Sequence, residues 1–150
     1  MLNDDFKDML QCLSGGKVEF LVIGGYALAA HGYPRATKDI DIWVAATIAN
    51  AERLLRALAK FGAPMDQISR DDLAEIGNVF QIGVPPRRID ITTIADGVDF
   101  SECNKRCVTV EWDEIKVPVI SKLDLIVNKR ASARPHDLVD ADVLEASDEE

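Results

Sequence analysis

The sequence predicts an α/β (α+β) protein, a small mixed β-sheet flanked by helices, and three observations point there. Short runs with strand character, such as Val18 to Ile23 and Thr37 to Val44, alternate with stretches whose apolar residues recur every three or four positions. Paired turn residues mark the boundaries between them, at Gly15-Gly16, Gly24-Gly25 and Pro85-Pro86. A length of 150 residues with 47% hydrophobic side chains suffices for one sizeable core, so a single domain over residues 1–150 is expected.

The elements follow in order. Phe6, Met9, Leu10 and Leu13 make one helical stripe within residues 2–13, and Ser14-Gly15-Gly16 stops it. Residues 18–23 read as a buried strand that ends at Gly24-Gly25. Residues 26–31 form a short helix, with Gly32 suited to the left-handed position after it and Pro34 unable to continue it. Residues 37–44 are a second strand. Thr47 caps a helix bearing Leu54, Leu55, Leu58 and Phe61, closed by Gly62 and Pro64. Ser69 heads a turn or two of helix with Asp71 and Asp72 at its start, ended by Gly77-Asn78. Residues 79–84 and 88–94 make an antiparallel hairpin around Pro85-Pro86, residues 99–106 a short helix, and residues 108–112 with 115–119 a second, peripheral hairpin. Ser121 caps a helix with Leu123, Leu125, Ile126 and Val127 on its apolar side and Lys129 near its end. Residues 137–146 form a last helix expected to bury Leu138, Val139, Val143 and Leu144. The acidic residues 147–150 are expected to fray.

Charge narrows the function classes only slightly. The net charge is −9, but seven acids and no base lie in residues 137–150, leaving 17 basic against 19 acidic side chains in the rest. The body is close to neutral, so a polyanionic partner is disfavoured weakly. Three cysteines without a metal-type spacing read as reduced thiols, and two distant histidines do not suggest a zinc site. Neither a signal sequence nor a membrane span is apparent, so a cytoplasmic location with no membrane partner is expected.

The stretch from Phe20 to Val44 concentrates the chemistry. On a strand, Thr37, Asp39, Asp41 and Trp43 share one face, with no cation among them beside the carboxylates, while Ile40, Ile42 and Val44 share the other. Two like charges so close call for a cation, and Mg²⁺ accepts one or two carboxylates together with water and phosphate oxygens. Gly24 and Gly25 let the backbone approach a ligand closely, and the helix starting there offers N–H groups to an anion. Asp90 leaves the strand of residues 88–94 on the face of Arg88 and Thr92, so a carboxylate again emerges from a strand whose opposite face is mostly apolar. Its plainer reading is an ion pair with Arg87 or Arg88.

Gly24-Gly25, a gap of thirteen residues, and Asp39-Ile40-Asp41-Ile42 resemble the signature of the DNA polymerase β-like nucleotidyltransferase superfamily, in particular its minimal stand-alone members related to toxin–antitoxin and abortive-infection proteins. The resemblance implies a polymerase β palm-like fold, a triphosphate held at Gly24 and Gly25, and two Mg²⁺ ions (or Mn²⁺) on Asp39, Asp41 and Asp90. It implies transfer of a nucleoside monophosphate from a nucleoside triphosphate such as ATP to an acceptor hydroxyl, with release of pyrophosphate and Asp90 as the general base. The acceptor is an RNA, a protein or a small molecule, and a partner protein or a second copy of the chain would help to bind it. Lys129, Arg134, Asp137 and Asp140 resemble the later motif of the family, which makes Lys129 a triphosphate contact; its plainer reading is a surface lysine. Asp137 reads more simply as a helix cap paired with Arg134. Arg35 and Lys38 are weak phosphate-steering candidates, and Trp43 reads as a core or rim residue before a base-stacking one.

Other Asp-x-Asp enzymes fit less well. Phosphatases of the haloacid-dehalogenase type carry Thr or Val where Trp43 stands, glycosyltransferase domains are generally longer, and no Walker A or G-x-G-x-x-G pattern is present. The rival reading is a non-catalytic, antitoxin-like interaction module on the same fold.

Overall fold

A computed structural model describes residues 2–33 and 39–146 of the chain. Its elements run α1 (Asp4–Gly15), β1 (Phe20–Ile23), α2 (Gly24–Ala30), β2 (Ile40–Val44), α3 (Ile48–Phe61), a 3₁₀ turn (Met65–Gln67) and α4 (Arg70–Leu73). They continue with β3 (Val79–Ile82), β4 (Ile89–Thr92), α5 (Phe100–Arg106), β5 (Val108–Trp112), β6 (Ile115–Val119), α6 (Lys122–Ser132) and α7 (Pro135–Ala146). The strands form one mixed sheet in the order β3-β4-β2-β1-β6-β5. β1 runs antiparallel to β2 and parallel to β6, and β2 runs parallel to β4.

The capping residues expected from the sequence sit where their chemistry requires. Thr47, Ser69 and Ser121 each accept a hydrogen bond from the backbone N–H three residues on, and Asp99 does the same at α5. Gly62 ends α3 at φ 99° and Gly32 follows α2 at φ 94°, both in the left-handed region that glycine tolerates. The buried side chains form one cluster built on β1, β2, β4 and β6 with α1 and α3, in which Phe6, Leu10, Leu21, Ile42, Leu54, Leu58 and Ile91 are fully enclosed. Asn50 anchors α3 to this core by accepting from the Glu19 N–H and donating to the Glu19 and Ala45 carbonyls, which satisfies backbone groups at the ends of β1 and β2. His31 closes the far end of α2, with Nε2 2.8 Å from the Ile120 carbonyl oxygen.

Three expectations need correction. The hairpin of β5 and β6 is not peripheral: β6 lies inside the sheet beside β1, with Val117 and Val119 fully buried. On α7 the buried side is Asp137, Asp140, Ala141 and Leu144, whereas Leu138, Val139 and Val143 are exposed, Val139 to 59%. On α6 the exposed residues include Leu123 and Val127, while Lys129 is buried. The cause is one polar contact. The Lys129 ammonium reaches Asp137 Oδ1 at 3.2 Å and Asp140 Oδ2 at 3.1 Å, and a buried charge must meet its partners. That contact sets the rotation of both helices against the apolar pattern of α7.

Arg35 and Lys38 as phosphate-steering candidates, the first residues of the second strand at positions 37 and 38, and the acidic tail at 147–150 lie outside the described residues. No helix among the described residues is long and apolar enough to cross a membrane.

Candidate active site

The site assembles where β1 ends. β2 brings Asp41 opposite Ile23 of β1 on one side and opposite Asp90 of β4 on the other, so the two carboxylates leave adjacent parallel strands at the same level. Asp39 stands one residue before β2, so it joins the pair from the approach to the strand. Gly24 opens α2 beneath them at φ 69°, and a β-carbon there would lie 2.3 Å from Asp41 Oδ2. The glycine is required twice, for its backbone angle and for the space the Asp41 carboxylate occupies. Gly25 follows in the first turn of α2 and is half-buried.

A cavity of about 300 Å³ opens over these residues, walled by Gly24, Asp41, Asp90, Asn128, Lys129 and Arg134 among others. Four of the sequence-predicted site residues, Gly24, Asp41, Asp90 and Lys129, therefore share one cavity; Asp39 and Gly25 stand beside it. Asn128 donates to the Asp96 carbonyl across the rim at 3.0 Å. Lys129 is only 7% exposed and is neither a surface lysine nor free of partners, since two carboxylates already hold its ammonium. Asp137 is not the cap of α7, which starts at Pro135, but lies in its first turn: it accepts from Ser132 Oγ at 2.6 Å and from Arg134 Nε at 2.8 Å besides pairing Lys129. Burial raises its pKa, yet these hydrogen bonds and the Lys129 charge prevail and hold the carboxyl below its usual range. Trp43 is buried edge-on against Phe100, centroids 5.1 Å apart, and belongs to the core of the sheet face.

The electrostatics of the carboxylates follow from crowding. Burial, then the Asp90 charge and a hydrogen bond shared with Asp90, then the Asp39 charge, push the Asp41 carboxyl up to about 6. Arg88 opposes this. Its guanidinium holds Asp90 at two points, Nε to Oδ1 at 2.8 Å and Nη2 to Oδ2 at 3.1 Å, and reaches Asp39 Oδ2 at 3.2 Å. The expectation that no cation stands beside the Asp39–Asp41 face is thus corrected, because the neighbouring strand supplies one. Arg88 is the functional candidate the sequence reading left as a mere ion-pair option, although its position two residues before Asp90 on one strand face was the visible signal.

The donor chemistry suits a hard divalent ion, and Asp39 Oδ1 is buried with no hydrogen-bond partner among the described residues. The arrangement does not yet suit one. Among the described residues no three His, Cys, Asp or Glu side chains converge on a point that holds a metal ion, because Asp39 and Asp90 are turned toward Arg88.

The model of a family described as nucleotidyltransferase of unknown function (DUF6036) matches residues 2–147. The chain belongs to that family. As a minimal nucleotidyltransferase it is also similar in fold to several solved structures. TM1012 of Thermotoga maritima, assigned as a nucleotidyltransferase, superposes with a TM-score of 0.61 at 19% identity, covering 94% of this chain and 88% of that one. The lincosamide antibiotic adenylyltransferase LnuA, lincomycin-bound, gives 0.61 at 15% identity, covering 97% of both chains. The antibiotic-resistance factor ANT(2'')-Ia gives 0.62 at 15% identity, covering 97% of this chain and 83% of that one. No curated protein matches. At these identities the likeness is one of fold, and it agrees with the mixed sheet and flanking helices of this nucleotidyltransferase.

Proposed function

We propose that the chain transfers a nucleoside monophosphate from a nucleoside triphosphate to an acceptor hydroxyl, in a divalent-metal-dependent reaction centred on Asp41, Asp90 and Asp39. The observation that carries this reading is the register of Asp41 against Asp90 at the mouth of the cavity, with Gly24 clearing space for Asp41. In the reaction the acceptor oxygen forms a bond to the α-phosphorus, the bond from that phosphorus to the α–β bridging oxygen breaks, and pyrophosphate leaves with the electron pair. The acceptor proton passes to Asp90 as the base, at the level of Asp41 on the neighbouring strand. A divalent ion, when bound, supplies the positive charge that the triphosphate and carboxylates lack.

The rest of the cavity has supporting tasks. Gly24 and Gly25 bring the backbone against the triphosphate. Lys129 sets the electrostatic floor, and Arg134, 69% exposed with Nε fixed by Asp137, is the cation best placed to turn toward phosphate oxygens. LnuA is lincomycin-bound and ANT(2'')-Ia is seen with adenylyl-2''-tobramycin, so a small-molecule hydroxyl is the favoured acceptor here, ahead of an RNA or protein hydroxyl. ATP is the first donor to test. The toxin–antitoxin or defence setting, a partner protein or second copy, and a cytoplasmic location rest on the sequence reading alone.

Thermal unfolding with each ribonucleoside triphosphate, in Mg²⁺, Mn²⁺ or excess chelator, tests the proposal without knowledge of the acceptor. A ligand at about a hundred times its dissociation constant stabilises by roughly 2.7 kcal/mol, which moves the midpoint by several degrees. The expected result is a metal-dependent shift in the wild type that Asp41→Asn loses. A second reading, the interaction module, is favoured by Arg88 occupying the carboxylates; it predicts no shift with any triphosphate and binding of a partner protein that Asp41→Asn leaves intact.

A further inference from the structure

A second and larger cavity, of about 460 Å³, adjoins the catalytic one. It begins at Trp43, which shares the strand face of Asp41 and stands two residues, about 7 Å, further along β2. From there it runs past Ala45 to Thr47, where the Ala45 N–H donates to the Glu19 carbonyl and so brings Glu19 to the far end. Ile94 and Ala95 line both cavities and form the wall between them. That wall is pinned from behind. Asn128 donates to the Asp96 carbonyl, and Gly97, at φ 76°, lies so close to α6 that a β-carbon there would stand 2.5 Å from Ala131 Cβ.

The lining has a chemistry of its own. Trp43 and Phe100, edge to face at 5.1 Å, join Val98 and Ile94 in an apolar surface that suits a flat ring, and a molecule covered with hydroxyls would lose hydration against it. Glu19 and Asp99 put two acids on the cavity, whereas the one cation among its described lining residues, Lys105, already pairs Glu102 at 3.3 Å. The excess is negative, so a cationic group is complementary and an anion is repelled. We infer that this cavity seats the acceptor and that the acceptor is an aromatic amine: its ring lies on Trp43 and Phe100, its ammonium faces Glu19, and its hydroxyl reaches past Ile94 and Ala95 to Asp90. The role of the hydroxyl rests on the nucleotidyltransferase reading above; the fit of ring and ammonium does not.

Three phenols of one shape and different charge test the seat in the full chain, with neither nucleotide nor metal added: tyramine (cationic), para-ethylphenol (neutral) and para-hydroxyphenylpropionate (anionic). NMR titration is expected to shift the Trp43 indole, Thr47, Ile94 and Ser101 signals, with tyramine binding tightest and the propionate weakest. Overhauser contacts should run from the ring protons beside the hydroxyl to the Ile94 methyls and from the ethylamine protons to the Thr47 methyl. Glu19→Gln is expected to weaken tyramine about two- to fivefold, the worth of one exposed charge pair, and to leave para-ethylphenol unchanged. Ser101→Phe, at an exposed position of α5, should fill the cavity and remove binding of all three at an unaltered unfolding midpoint. The inference is overturned if the propionate binds as tightly as tyramine, if tyramine lies the other way round, or if no signal of this cavity moves at millimolar probe. The triphosphate-dependent unfolding shift reads the other claim separately. Its absence in the wild type would sink the nucleotidyltransferase reading while the ring-and-ammonium seat stands on the titrations; its presence with no tyramine in the cavity would sink the seat alone.

Discussion

Asp41 shows what the site costs the fold. The folded chain holds its proton more tightly than the unfolded chain does, the pKa being about 6 against 3.8, so stability of the metal-free protein falls as pH rises through that window and the full penalty persists above it. Asp41→Asn removes the charge and is expected to stabilise the metal-free chain at neutral pH by on the order of 2–3 kcal/mol, with a flatter profile. Urea unfolding from pH 4 to 8 in chelator reads both; a variant no more stable than wild type at pH 7 would mean that Arg88 compensates Asp41 fully. Gly24→Ala acts in the opposite direction. Its β-carbon has to displace the Asp41 carboxylate and adopt a left-handed backbone angle, which is expected to cost about 1–3 kcal/mol and to abolish any metal-dependent triphosphate shift. Retention of that shift in the alanine variant would show that Asp41 tolerates displacement and that the glycine is there for the turn alone.

Between elements, the junction of α6 and α7 is governed by charge. Lys129 pairs Asp137 and Asp140 in a nearly dry setting, so Lys129→Met, which preserves volume, strips two buried carboxylates of a shared cation and is expected to destabilise by about 3–5 kcal/mol. Denaturant midpoints measure this, and the triple variant with Asp137→Asn and Asp140→Asn should recover much of the loss. A deficit under about 1 kcal/mol in Lys129→Met would assign the ammonium to the cavity rather than to the helix pair. The Asp137 carboxyl is held low, so its contribution is present above its unfolded pKa and is lost as pH falls, the reverse of Asp41.

At the scale of the molecule, the interior place of β6 makes a sharp contrast with α7. Val117→Ala removes apolar volume from a fully buried strand and is expected to cost about 2 kcal/mol, whereas Val139→Lys on the exposed side of α7 should stay within about 0.5 kcal/mol. Equal effects in thermal or urea unfolding would contradict the sheet order. The site depends on the same topology. Asp41 and Asp90 are forty-nine positions apart and meet only because β2 and β4 are parallel neighbours, a pairing that places the carboxylates level with one another.

The sequence by itself determined the local part of this protein. Caps at Thr47, Ser69 and Ser121, the left-handed glycines and the strand runs are all written within a few residues of where they act, because capping, turns and strand periodicity are short-range physics. The face that α7 buries was misread because the apolar period of an isolated helix carries no record of a buried lysine on its neighbour. Arg88 was visible beside Asp90, but its hold on Asp39 was not, since that contact crosses from β4 to the start of β2. Only the tertiary structure decided the order of the strands, the burial of Lys129 and the bridging of Asp39 and Asp90 by Arg88, because each is an interaction between charges or edges that the chain brings together from distant positions.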